Sequence, residues 1–329
     1  MEKYDVTALG ELLIDFTADG SVSNQGNQLF EANPGGAPCN VLAMLQKLGR
    51  HTAFIGKVGN DSFGKMLKAT LQEAGINTDN LISDNNVPTT LAFVHTAPDG
   101  DRSFSFYRNP GADMMLRPEE INSELIRNSR IFHFGTLSMT DPDVEDATKA
   151  AIETAKEAGA IISFDPNLRP PLWKSLDTAK EKIRYGLSVC DVLKISDDEI
   201  AFFTDIEDAD AGVKRIRKQY DISLICATMG KKGSKAYYKD LAVSRGAFLD
   251  VNTIETTGAG DTFMACVLNT VLENGLHSFN EQKLNDMLAF ANAAASIITT
   301  RRGALKVMPE KAEVLDFLAK RTSAGSGHI

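Results

Sequence analysis

Short apolar runs that alternate with longer amphipathic ones constrain this chain more than any other feature. Ile131 to Leu137 reads as a buried strand, the next segment keeps helical spacing through Ala158, and Ile161 to Asp165 reads as a strand again. Strand, helix-length crossover and strand make the unit of a mainly parallel sheet, because parallel neighbours need a long connection that hairpins do not. Further strands are expected at Val6 to Leu9, Thr52 to Ile55, Val192 to Ile195 and Leu224 to Ala227, with helices between several of them. Crossovers cover both faces of such a sheet, so the expected fold class is α/β, a mainly parallel central sheet with helices on both faces. A chain of 329 residues, 43% of them hydrophobic, can fill that core, and no linker divides it. One domain over 1–329 is expected.

Two regions break the rhythm. Residues 16–34 are polar, with Gly20, Gly26 and several Asn and Gln, while 90–107 reads as two strands around Pro98-Asp99-Gly100-Asp101. The latter is a hairpin signal. Phe104 and Phe106 share one face of the second strand, and large apolar groups on one face need cover. The two regions, taken as 16–34 and 88–112, are expected to form a small β-lid over the mouth of the sheet, and a homodimer through that lid is an expectation. A surface hairpin without a task is the plainer reading. The Ser/Gly-rich segment 322–329 is expected to be a flexible tail.

Charge and side-chain chemistry exclude several classes. A net charge of -9 and a pI near 5.2 argue against nucleic-acid or anionic-membrane partners, which favour a basic face. Cys39, Cys190, Cys226 and Cys266 are scattered with no C-x-x-C, so neither a disulfide framework nor a zinc site is readable. The five histidines show no H-E-x-x-H spacing, and no G-x-S-x-G elbow is present. The first residues lack a basic segment followed by a long apolar core, and no run approaches about 18 apolar residues. A cytoplasmic protein is expected.

The most informative motif is Thr257-Gly258-Ala259-Gly260-Asp261-Thr262-Phe263, a glycine turn directly before an apolar, helix-length segment. Glycines let the backbone turn its N–H groups inward, and the helix end adds partial positive charge. A phosphoryl group in transfer needs such a cradle, and Asp261 sits where a base could take a hydroxyl proton. The plainer reading is an Asp N-cap after an ordinary turn.

Gly35-Gly36-Ala37-Pro38-Cys39-Asn40 forms a second glycine turn, after which Val41, Met44, Leu45 and Leu48 fall on one helical stripe ending near Gly49. Asn40 could offer its amide to a hydroxyl, or serve as a structural cap. Asp15, read as lying past the end of the first strand, could accept two hydroxyl hydrogen bonds, or be a solvated loop residue. Asp165-Pro166-Asn167-Leu168-Arg169 follows a strand, and Arg169 could steer a phosphate, though a surface Arg is commoner. Thr228-Met229-Gly230 and Ser196-Asp197-Asp198-Glu199 also follow strands and could position nucleotide phosphates and Mg²⁺ respectively, although turns and caps use the same residues.

No G-x-x-x-x-G-K-[ST] occurs, so the cradle is not a P-loop, and no G-x-G-x-x-G follows the first strand. The ordered set of an early G-G helix motif and a late T-G-A-G-D motif resembles the ribokinase-like carbohydrate kinases over nearly the whole chain, to Arg302-Gly303-Ala304 and Met308-Pro309. Within that family the chain resembles fructokinases most, through GELLIDF at 10–16, FYRNPGAD at 106–113 and DPNLRPPLW at 165–173.

The resemblance implies an ATP-dependent sugar kinase, a phosphotransferase with an alcohol acceptor, most similar to fructokinase. Asp261 would be the base and the N–H groups of Gly258, Ala259 and Gly260 the anion hole. Asp15, Gly35, Gly36 and Asn40 would hold the sugar, Phe106 would close over its ring, and Arg108 and Arg169 would lie near the transferred group. Ser196, Thr228, Gly230, Gly233 and Asn292 would contact ATP, with Asn292 near the adenine, and Glu199 would organise Mg²⁺ through water. Two departures argue against a potassium requirement: Glu255 stands where the family usually has Asp, and Val307 where ribokinases have Ser. Kinases for 2-keto-3-deoxygluconate, ribose or a riboside are the alternatives within the class. A non-catalytic sugar sensor is the alternative outside it.

Overall fold

The computed structural model describes residues 3–96 and 102–325. β1 (Tyr4–Leu9) opens the large sheet, β2 (Leu13–Val22) and β3 (Gln28–Gly35) leave it for a smaller one, and α1 (Ala37–Lys47) leads back into β4 (Thr52–Gly59). α2 (Ser62–Glu73) and β5 (Asn77–Asp84) extend that edge, β6 (Leu91–Thr96) and β7 (Arg102–Tyr107) rejoin the small sheet, and α3 (Ser123–Arg127) precedes β8 (Ser129–Gly135). The strand-helix alternation then runs through α4 (Pro142–Glu157), β9 (Ile161–Asp165), α5 (Leu176–Val189), β10 (Val192–Ser196), α6 (Asp197–Thr204), α7 (Ala209–Gln219) and β11 (Leu224–Thr228). β12 (Ser234–Tyr238) and β13 (Leu241–Arg245) finish the sheet, and α8 (Ala259–Asn274), α9 (Glu281–Ile298) and α10 (Lys311–Gly325) follow.

The large sheet has nine strands in the order β13-β12-β11-β10-β9-β8-β1-β4-β5. Pairing is parallel from β11 to β5 and antiparallel at β12 and β13. The unit around α4 shows why these residues adopt these elements. Ile131, Phe132 and Phe134 are wholly buried in β8, as a strand covered on both faces requires. α4 starts at the cap Asp141 with Pro142 in its first turn, and buries Val144, Ala147, Ala151, Ile152 and Ala155 at helical spacing.

Two apolar cores result, one on each face. α1, α2, α8 and α9 pack with Val6, Phe54 and Leu224 on one side, and α3, α4, α5 and α7 pack with Phe132, Phe164 and Leu193 on the other. All four cysteines are free and buried in them. Among the described residues no helix is long and apolar enough to cross a membrane.

The small sheet, ordered β3-β2-β6-β7, forms from the two regions that break the rhythm. β6 and β7 pair antiparallel as the hairpin reading expects, while the turn at Pro98 to Asp101 lies outside the described residues. One placement is corrected. β1 ends at Leu9, and Asp15 lies inside β2 opposite Asn33, so it belongs to the small sheet and not to the end of the first strand. The apolar run Leu12-Leu13-Ile14 continues the pattern of β1 and conceals the break. At the far end, α10 reaches Gly325, and the remainder of the expected tail lies outside the described residues.

Candidate active site

The α8 turn is forced by its glycine. Gly258 has φ 79°, a left-handed conformation, and a Cβ there would lie 2.7 Å from Ala304 Cβ. α8 begins at Ala259, so Asp261 stands at the third helical position and is not the N-cap of the plainer reading. Its buried carboxylate accepts a 2.8 Å hydrogen bond from Asn40 Nδ2. Of the three amides expected to face an anion, that of Ala259 turns instead onto the Thr256 carbonyl at 3.3 Å. Glu255 braces the approach: its carboxylate accepts from Thr257 Oγ1 at 2.5 Å and from the Gly303 N–H at 3.1 Å.

A second helix start faces this one. Gly36 has φ 132°, and any Cβ would meet the Glu11 carbonyl at 2.3 Å. Glu11 Oε1 accepts the Ala37 N–H at 2.8 Å and so caps α1 from outside the helix. Gly35 gives room to Asp15, since a Cβ at 35 would lie 2.4 Å from its Oδ2. Burial pushes both Glu11 and Asp15 up to about 7, with Arg169 opposing the shift at Asp15. Asn40 is no cap: its Nδ2 reaches Asp261, and its buried Oδ1 has no partner.

Glu11, Asp15, Gly36, Asn40, Gly258 and Asp261 line a cavity of about 450 Å³ that also takes in Phe106 and Arg169. Phe106 therefore turns its face inward, whereas the Phe104 side chain lies outside the described residues. Ser196, expected on the nucleotide side, lines this same cavity. It caps α6 by accepting the Glu199 N–H at 3.2 Å, while Glu199 accepts the Ser196 and Leu168 N–H groups at 2.9 and 3.0 Å. Arg108 is not among the lining residues. Its guanidinium bonds Asp113 at 2.7 Å, Thr140 at 2.8 Å and the Leu137 carbonyl at 3.0 Å, which holds it below the surface.

One cation in the wall has no counterpart in the sequence reading. Lys194, in β10, is buried and donates to Asp165 Oδ1 at 3.1 Å, with Oδ2 3.0 Å away but receiving no aligned bond. Burial pushes Asp165 up to about 7 against the pull of Lys194. Behind it His133 is buried against Ser163 Oγ, 2.9 Å from Nδ1, and burial pushes it down to about 3.

A second cavity, of about 630 Å³, lies on the other side of the turn and is lined by Thr228, Gly230, Gly233 and Asn292. Phe248, Val251, Phe263 and Ala295 give it apolar walls suited to a planar base, and hydroxyls and glycines complete its lining. Asn292 is tied to the protein: Nδ2 bonds the Arg245 and Gly246 carbonyls at 3.2 and 3.1 Å, and Oδ1 accepts from Ser234 at 2.8 Å. The two cavities share Thr256 and Gly260 as walls. Among the described residues no group of three His, Cys, Asp or Glu side chains could hold a metal ion.

Set against known proteins, residues 3–311 match the sequence profile of the pfkB family carbohydrate kinase. The chain is 40% identical over 314 residues to a probable fructokinase-2 of Arabidopsis thaliana, covering 95% of each sequence. Its fold is similar to a crystal structure of fructokinase with bound ATP from Xylella fastidiosa, with a TM-score of 0.88, 32% identity and coverage of 98% of this chain and 100% of the other. It is also similar to fructokinase from Vibrio cholerae O395 in its fructose, ADP and calcium ion bound form, with a TM-score of 0.85, 29% identity and coverage of 96% and 100%.

Proposed function

This chain belongs to the pfkB family of carbohydrate kinases, and from that premise we infer that it is an ATP-dependent fructokinase, forming ADP and D-fructose 6-phosphate. The observation that carries the reading is the shared wall: two cavities meet at the turn of α8, and Asp261 stands in the one that would hold the acceptor. The relatives that bear the name fructokinase support the choice of sugar.

The sugar binds among Asp15, Gly36 and Asn40, with Phe106 over its ring and the small sheet acting as a lid on a single catalytic domain. Gly35 serves by leaving space for Asp15. Thr228, Gly230 and Gly233 hold the nucleotide, and Asn292 shapes the base pocket through its fixed amide. In the transfer, the acceptor hydroxyl oxygen bonds to the terminal phosphorus while its proton passes to Asp261. The bond from phosphorus to the ADP oxygen breaks, and its electron pair stays on ADP. The helix end and free amides of the turn receive the developing charge. Closure of the lid excludes water, so that ATP is not hydrolysed instead.

The donor set suits Mg²⁺ carried in on phosphates, since Glu199 and Asp261 share this cavity while no three-carboxylate cage is present among the described residues. Glu199 would hold it through water, and the ion would neutralise phosphate charge. Potassium is left out of the proposal on account of Glu255 and Val307, the two departures from the family pattern. A cytoplasmic setting, supported by the free buried cysteines, and a homodimer through the exposed Phe30 and Tyr107 of the small sheet belong to the same proposal.

ADP release measured across a sugar panel tests the reading. Release that depends on fructose sustains it, and binding of fructose without release would leave a sugar sensor. One observation favours a second acceptor: exposed Arg169 places a cation in the cavity that a sugar carboxylate could take, so 2-keto-3-deoxygluconate belongs in the panel.

A further inference from the structure

Gly260 belongs to both cavities, and the atoms nearest to where its Cβ would stand belong to a lysine. A Cβ at 260 would lie 3.1 Å from Lys194 Nζ and 3.5 Å from Cε, so the ammonium rests against bare backbone at the junction. Alternation along β10 puts Lys194 on the face of Val192, which packs in the core cluster that includes α8. The ammonium is therefore 66 positions from its neighbour in sequence and beside it in space.

We propose that Lys194 is a catalytic residue that meets the terminal phosphoryl group of ATP at the α8 turn, with Asp165 as its positioning partner. The inference rests on the kinase reading and adds to it a cation that reading does not contain. Asp165, Glu199 and Asp261 all act electrostatically on Lys194, and the same carboxylates would repel an arriving phosphoryl group. Lys194 is the buried cation among them. Arg108 is committed to Asp113, and Arg169 is exposed at the sugar side. Burial works against the charge on Lys194, but the surrounding carboxylates outweigh it and hold its pKa above the ordinary value.

The contact with Asp165 has the character of a holding position. One carboxylate oxygen takes an aligned hydrogen bond and the other does not, and the flexible four-carbon stem lets the ammonium turn toward a stronger acceptor. Lys194 neither gains nor loses a proton in the step. It donates hydrogen bonds to non-bridging oxygens as charge builds on them, while the acceptor's proton goes to Asp261. Glycine at 260 is what keeps the path between ammonium and phosphate open.

Three proteins test this: wild type, Lys194→Met, and Lys194→Met combined with Asp165→Asn, which leaves no orphaned buried charge. Calorimetric titration with a non-hydrolysable ATP analogue and with ADP is the first readout. The variants are expected to bind the analogue about ten-fold more weakly while ADP changes little, because the lost contact is to the terminal phosphate alone. The kcat with fructose is expected to fall about 10² to 10³-fold, with the fructose Kd nearly unchanged. Equal weakening of analogue and ADP, or a folded double variant with near wild-type kcat, overturns the proposal. If wild type binds the analogue but phosphorylates no sugar in the panel, the fructokinase reading fails, and the nucleotide comparison still decides the case of Lys194.

Discussion

Asn40 donates to the Asp261 carboxylate at 2.8 Å across 221 positions of sequence, and both side chains are buried. The bond joins the first turns of α1 and α8, so two glycine turns far apart in the chain act on one cavity. It also gives Asn40 a double task, because its partnerless Oδ1 is an acceptor for an arriving hydroxyl.

Replacing Asn40 by Asp is expected to do more harm than replacing it by Ala. Two carboxylates at hydrogen-bond distance share a proton, which raises the pKa of the pair. The Asn40→Asp variant should lose about 10²-fold in kcat/KM at pH 7 and regain part of it at higher pH, as expected when a general base is held protonated. A pH profile of kcat/KM checks this, and an alkaline shift absent from Asn40→Asp counts against the base assignment.

Asp261→Asn keeps the shape and removes the proposed base. It is expected to lower kcat about 10² to 10⁴-fold while sugar binding stays nearly intact. Single-turnover rates together with calorimetric fructose binding separate the two effects, and unchanged turnover would remove Asp261 from the chemistry.

Gly35→Ala places a methyl 2.4 Å from the present position of Asp15 Oδ2, so the carboxylate must move. The expected result is a fructose KM raised about ten-fold or more, from loss of charge-assisted hydrogen bonds, with a small change in Tm. A large fall in Tm at unchanged KM would show that β3 and not Asp15 gave way.

Glu11, Asp15 and Asp165 have ordinary values of 4.5, 3.8 and 3.8, and burial pushes each up to about 7. The native state thus binds protons that the unfolded chain releases. The associated stability is fully present below the ordinary values and is lost as pH rises through about 7. Tm is expected to fall between about pH 4 and pH 7 and to level off above that, while the fructose KM falls between about pH 6 and pH 8 as Asp15 ionises to accept hydroxyls. Thermal melts and initial rates across those ranges test both signs, and a flat Tm contradicts the burial argument.

The parallel sheet was legible because β8, α4 and β9 carry their pattern locally, in unbroken apolar runs and helical spacing. The α8 turn was legible for the same reason: Gly258 and Asp261 are neighbours, and the glycine is demanded by its own backbone. What escaped is long-range. Lys194 reads as one polar residue in a buried strand, and nothing near it announces Gly260 or Asp165. Arg108 reads as a free cation until Asp113, five positions on, turns back to claim it. Asp15 lines the cavity but was put on the wrong element, since the chain changes sheets inside a continuous apolar run.

Thr256 and Gly260 are common to the walls of both cavities, so in the proposed reading donor and acceptor have separate places and neither need leave before the other arrives. Initial-rate plots against either substrate should intersect and not run parallel, because no phosphorylated protein lies between them. An ATP made chiral at its terminal phosphorus by oxygen isotopes should yield a sugar phosphate of reversed handedness, the mark of a single displacement.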